Sequence, residues 1–167
     1  DALRFRTDAG SKRAEARADG RIALWFGRVD EGEPLTLAAA GRDFTGRHVV
    51  AGVPHLVIPV EDVNAIPFAT WAPALRSHAQ LGAAGANVDF VAEQPDGRVA
   101  MRTWERGVEG ETLACGSGAM ATALWAVVVS AAWRRRATLP GDGWLLAPPL
   151  LLAASRGVAV WSTSGLE

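Results

Sequence analysis

Apolar and polar residues alternate along this chain in short runs as far as residue 105, and the period then changes to that of a helix. Leu3–Thr7 and Ile22–Phe26 read as strands on either side of the turn-prone Ala18-Asp19-Gly20. A polar connection, Asp30-Glu31-Gly32-Glu33-Pro34, follows. His48–Val53 and His55–Val60 read as two strands that meet at Pro54, because proline cannot donate to a sheet ladder. In Trp71–Leu81 the residues Trp71, Leu75 and His78 fall three or four apart, a helical spacing that predicts a helix. Asn87–Ala92 and Val99–Trp104 predict a hairpin closed by Pro95-Asp96-Gly97. The strongest helical signal runs from Gly118 to about Trp133. It is apolar on nearly every side, so it is expected to be buried all round. Arg134-Arg135-Arg136 closes it with positive charge where the helix dipole favours cations. Beyond it, Trp144–Ala154 and Val158–Trp161 read as β-structure interrupted by Pro148-Pro149. The chain shows no internal repeat. An all-round apolar helix among short strands must be covered by them. The expected fold is therefore α/β of the α+β type, a mixed, largely antiparallel sheet wrapped around a central apolar helix.

Composition narrows the function classes. A chain of 167 residues with 49% hydrophobic and 21% charged residues is globular, and its length suits one domain. A formal net charge of −1 lacks the basic surface of a nucleic-acid binder. The run Ala119–Trp133 is shorter than the roughly 20 residues needed to span a bilayer, so no membrane segment is expected. With one cysteine no internal disulfide can form, which suits a reducing cytoplasm. His48, His55 and His78 do not fall at ligand spacing around Cys115, so no metal cluster is expected. The chain does not begin with Met, and no signal peptide opens it.

The candidate chemistry sits around that single thiol. Cys115 lies in a Cys-Gly-Ser-Gly turn opening directly onto the apolar helix, and Glu105-Arg106 stands about ten residues upstream. Free N–H groups at a helix start favour negative charge, so they can lower a thiol's pKa or hold a carboxylate. The plain alternatives are a buried structural thiol, with Ser117 as a capping residue among tight-turn glycines.

The stretch from Arg102 to Ala119, Arg-Thr-Trp-Glu-Arg-Gly, then Gly-Glu-Thr, then Ala-Cys-Gly-Ser-Gly-Ala, resembles the second-cysteine signature of the diaminopimelate epimerase family. Three further segments fit in the same order. Phe5-Arg6-Thr7-Asp8-Ala9-Gly10 is similar to the strand that opens the second half of such enzymes. Gly52-Val53-Pro54-His55-Leu56-Val57-Ile58 is similar to the family's Pro-His segment. Gly85-Ala86-Asn87-Val88-Asp89-Phe90-Val91 is similar to its Asn-Val-Asn-Phe segment. The resemblance runs from about residue 3 to about residue 138. It implies the same fold, and a cofactor-independent enzyme of two similar halves, each with one catalytic cysteine. On this reading residues 1–167 are the carboxy-terminal domain and the amino-terminal half is missing from the sequence.

The resemblance also implies roles. Cys115 becomes one of two thiols that remove and return a proton on opposite faces of an amino acid. Glu105 meets the substrate's α-amino group and helps to move the proton on the nearby thiol. Arg106 pairs with the distal carboxylate, which suits a planar guanidinium. Asn87 holds the distal end of the substrate. Gly116 and Ser117 offer N–H groups to the α-carboxylate, and His55 assists the cysteine of the other half. Glu111 is expected to support the turn rather than touch substrate. The implied reaction interconverts LL- and meso-diaminopimelate for lysine synthesis, with a cytoplasmic address and a homodimer. Val53 departs from the family, many of whose members carry asparagine before the Pro-His pair. The loop from Arg106 to Glu111 is also one residue longer than the shorter form of the motif. The competing readings are a related amino-acid racemase of the same fold, one acting on proline derivatives for example, and a non-catalytic half-domain with one cysteine. A cysteine hydrolase is disfavoured because no histidine stands in a recognisable nucleophile-base arrangement.

Overall fold

The computed structural model describes residues 2–8, 10–18, 20, 22–25, 29–94 and 98–137, the side chains of 127–137 excepted. The expected β-structure in the tail, the turn residues Asp19 and Pro95–Gly97, and the side chains of Arg134–Arg136 lie outside the described residues. The chain opens with a three-stranded antiparallel sheet, β1 (Ala2–Thr7), β2 (Gly10–Ala16) and β3 (Ile22–Trp25), in that order. β2 was not expected. Its polar run Gly10–Ala16 carries no apolar alternation, and it forms because β1 and β3 offer ladders on both sides.

Among the described residues the main sheet has six strands in the order β4 (Asp30–Ala39), β5 (Arg42–Ala51), β6 (Val53–Pro59), β7 (Asn87–Glu93), β8 (Val99–Glu105) and β9 (Gly110–Thr112). Every pairing is antiparallel except β6 with β7, which run parallel. A parallel pair needs a crossover, and it is made here by α1 (Phe68–Arg76) and a short 3-10 turn at Ala79–Leu81. The sheet is mixed and largely antiparallel, as the sequence predicts. Three local expectations change. The polar segment Asp30–Pro34 belongs to β4 rather than to a connection, because β4 is an edge strand among the described residues. There a proline costs no ladder bond, and a register irregularity between Glu31 and Pro34 takes up the extra residues. The break between β5 and β6 falls at Gly52, whose φ of +79° turns the chain, and Pro54 lies inside β6 opposite Val50. The first helix starts earlier and ends sooner than Trp71–Leu81, with His78 instead receiving the Gln80 N–H at the 3-10 turn.

Both faces of the sheet are covered. On one, α1 packs its buried Phe68, Ala72 and Leu75 onto Leu37, Phe44, Leu56, Ile58, Val88 and Phe90. Aromatic rings meet edge-on there, Phe44 with Trp71 at 5.1 Å and Phe68 with Phe90 at 5.7 Å. On the other, α2 (Gly116–Ala137) lays Met120, Ala121 and Leu124 on Val49, Ala51, Val57 and Val91. Among the described side chains of α2, those on the sheet side are buried and Ala119, Ala123 and Ala126 are half-buried, so the expected all-round burial is not met there. Among the described residues no helix is long and apolar enough to cross a membrane.

Candidate active site

The face of the sheet under α2 is apolar except at one end, where register gathers the polar side chains. His55 is the partner of Asn87 across β6 and β7. Val88 pairs with Trp104, so Asn87 lies beside Glu105. One step further in, Asp89 pairs with Thr103. Because β6 and β7 run parallel and β8 returns antiparallel, the starts of two strands and the end of a third share one edge. The turn Arg106–Glu109 leads from there through β9 to the start of α2. Cys115, Gly116 and Ser117 therefore come to the same end as His55, Asn87, Glu105 and Arg106.

Hydrogen bonds link most of these groups. His55 and Asp89 are both fully buried, and Nδ1 of the ring lies 2.7 Å from Asp89 Oδ2. Thr103 donates its hydroxyl to Asp89 Oδ1 at 2.7 Å. On the other side of the ring, Nε2 lies 3.3 Å from Asn87 Nδ2, and Asn87 Oδ1 accepts the Arg106 backbone N–H at 2.8 Å. Glu105 accepts from the Thr112 hydroxyl at 2.7 Å. His48, next to this network, has its pKa lowered by burial first and by the neighbouring His55 second.

The thiol caps its own helix. Gly118 N–H donates to Cys115 Sγ at 3.3 Å, and Ala119 N–H donates to the Cys115 carbonyl at 2.9 Å. The capping residue is thus Cys115 and not Ser117, whose hydroxyl sits one turn-step on, 3.6 Å from Sγ. A Cβ at Gly118 would stand 2.8 Å from Asp89 Oδ1 and 3.2 Å from Sγ, so only glycine lets the helix start come this close. Burial pushes the Cys115 thiol above its ordinary value of 9.0. Ser117 and Gly118 oppose that, and the carboxylates of Asp89 and Glu105 add to it. The helix start alone therefore does not make a resident thiolate, contrary to the expectation from its position.

Glu111 supports the turn: Arg102 grips it bidentately at 2.6 and 2.7 Å and also donates to the Val63 carbonyl at 3.1 Å. Arg76 does the same from the end of α1, donating to Glu109 at 2.7 Å and to the Ala84 carbonyl at 2.9 Å. Arg106 has no acidic partner among the described residues. Sequence reasoning passed over Asp89, Thr103, Thr112 and Gly118. A carboxylate in the otherwise apolar Val88–Val91 was the available signal for Asp89, since a charge inside a buried strand must be paired.

Comparisons with known proteins bear on the family and the fold. The profile of the family described as diaminopimelate epimerase matches residues 47–139. A diaminopimelate epimerase from Gemmatimonas aurantiaca is 47% identical over 125 residues, covering 73% of this chain and 44% of that protein. One from Aquifex aeolicus is 40% identical over 123 residues, with coverage of 73% and 44%. The chain thus spans less than half the length of these curated relatives. Among solved structures, a hydroxyproline epimerase from Agrobacterium vitis with bound trans-4-hydroxy-L-proline superposes with a TM-score of 0.52. It covers 85% of this chain and 47% of that one at 17% identity, which shows a shared fold.

Proposed function

Because the chain belongs to the diaminopimelate epimerase family, we propose that it is the carboxy-terminal, thiol-bearing half of an epimerase interconverting LL- and meso-diaminopimelate. Its place is the lysine pathway of the cytoplasm, in a homodimer, and it uses no cofactor. One observation carries this reading: the single cysteine caps α2 at the sheet edge where Glu105, Asn87 and His55 stand side by side.

Epimerisation removes the α-proton from one face and returns one to the other. With its pKa raised, Cys115 rests as a thiol and serves as the proton donor. The Gly118 N–H and the Ser117 hydroxyl then steady the thiolate left behind. The N–H groups of Gly116 and Ser117, in the first turn of α2, receive the α-carboxylate. Glu105, anchored by Thr112, meets the α-ammonium. Arg76 and Arg102 are occupied by Glu109 and Glu111, which leaves Arg106 to pair with the distal carboxylate. Asn87 sets that arginine's backbone and lies beside the same end of the substrate. His55 serves a second thiol supplied by an amino-terminal half. The apolar side chains Val53, Val108 and Leu113 stand exposed around this end and support such a half closing over it.

Deuterium incorporation at Cα of LL-diaminopimelate in heavy water tests the reading. The purified chain alone should give none. Combined with an amino-terminal half bearing a second cysteine it should turn over, and Cys115→Ser should then cut the rate by about 100-fold or more. Turnover by the chain alone would overturn the two-half scheme, and none by the combined halves would overturn the activity.

A further inference from the structure

The hydrogen bonds around His55 fix the positions of its protons. The Arg106 backbone N–H can only donate, so the Asn87 atom it meets is the amide oxygen. Asn87 therefore turns its NH2 group toward His55 Nε2, and a nitrogen facing a donor must be an acceptor. The ring proton is then on Nδ1, aimed at Asp89 Oδ2. The second carboxylate oxygen is held by Thr103, so the Asp89 side chain cannot rotate away. That same oxygen would stand 2.8 Å from a Cβ at Gly118, so it also bounds the start of the helix that carries Cys115.

We propose that Asp89 is a positioning residue of this site, which locks the neutral His55 ring with its proton on Nδ1 and leaves Nε2 as the basic nitrogen. The inference rests on the proton-transfer reading above for its purpose, while the ring tautomer is read without any turnover. In that reaction Nε2 has no proton to give, and it can take one only as the Asn87 NH2 moves aside, the imidazolium then facing the Asp89 carboxylate at 2.7 Å. Asn87, its amide held by the Arg106 N–H, and Asp89 favour the same tautomer from opposite sides of the ring. The Arg106 N–H on one side and Asp89 on the other make the assignment unique.

Long-range proton–nitrogen correlation spectra of the 15N-labelled chain, at about pH 8 and well above the ordinary imidazole range, test the proposal. The chain has three histidines, so His55→Gln assigns the signal. Nδ1 should show the protonated, pyrrole-type shift and Nε2 the pyridine-type shift. Asp89→Asn should keep that pattern, because its amide oxygen still accepts from Nδ1 and its NH2 donates to Thr103. Asp89→Leu should move the tautomer ratio about tenfold or more toward the Nε2–H form, the size expected for losing a charge-assisted hydrogen bond. If that variant does not fold, Asn87→Leu decides: the Nδ1–H form should persist, since Asp89 is untouched. An Nε2–H ring in the unaltered chain, an unmoved ratio in Asp89→Leu or a switched one in Asn87→Leu overturns the proposal. No turnover by the combined, unaltered halves, with the Nδ1–H ring intact, would count against the epimerase reading and leave the role of Asp89 standing.

Discussion

At the scale of single residues, Cys115 caps α2 by receiving the Gly118 N–H and sits where burial outweighs the helix start in setting its pKa. Its alkylation by iodoacetamide should therefore be slow at neutral pH, with the rate still rising beyond the ordinary 9.0. The linkage runs the same way. The fold favours the neutral thiol, so that stabilisation is present at neutral pH and is lost as pH rises through the raised pKa. Urea midpoints should thus fall more steeply above pH 9.0 for the unaltered chain than for Cys115→Ala. Gly118 makes the second test. Asp89 is tethered at both oxygens and cannot give way, so Gly118→Ala should cost about 1–3 kcal/mol in denaturant unfolding. Cys115, Glu105 and Arg106 were legible because a short, contiguous motif names them. Asp89 was not, because its partners His55 and Thr103 stand 34 and 14 residues away.

At the scale of elements, the turn that carries Arg106 is held from two sides. Arg102 reaches Glu111 across the β8–β9 pair, and Arg76 reaches Glu109 from α1. The hydrogen bond from its arginine is the largest cause of depression in each glutamate, and both fall below the ordinary 4.5. Their contribution is present above that value and disappears as pH falls through the depressed ones. Glu111→Gln should remove about 1 kcal/mol or less, because the carboxylate is 41% exposed and water screens the pair. Acid unfolding curves should show the variant and the unaltered chain converging once the glutamate is protonated. Strands with apolar alternation and the long apolar helix were readable from the pattern. β2 and the start of β4 were not, since a polar strand is chosen by the neighbours it pairs with rather than by its own composition.

At the scale of the whole molecule, a mixed sheet between α1 and α2 leaves one edge where the polar groups of three strands and a helix start converge. The chain spans 44% of its relatives from Gemmatimonas and Aquifex, and Leu113 beside the site is fully exposed. Both facts argue for the complementation assay as the decisive activity measurement, with conversion expected from combined halves only. The amino-acid sequence by itself determined the family, the periodic elements and the cysteine turn, because each is written in residues that are neighbours along the chain. Tertiary structure decided the rest. It placed the parallel β6–β7 pair that brings His55 next to Asn87, and the buried carboxylate that directs the ring. It also set the desolvation that keeps Cys115 protonated. Those depend on which residues meet across the sheet and on how much water is excluded there, and neither quantity exists until the chain has folded.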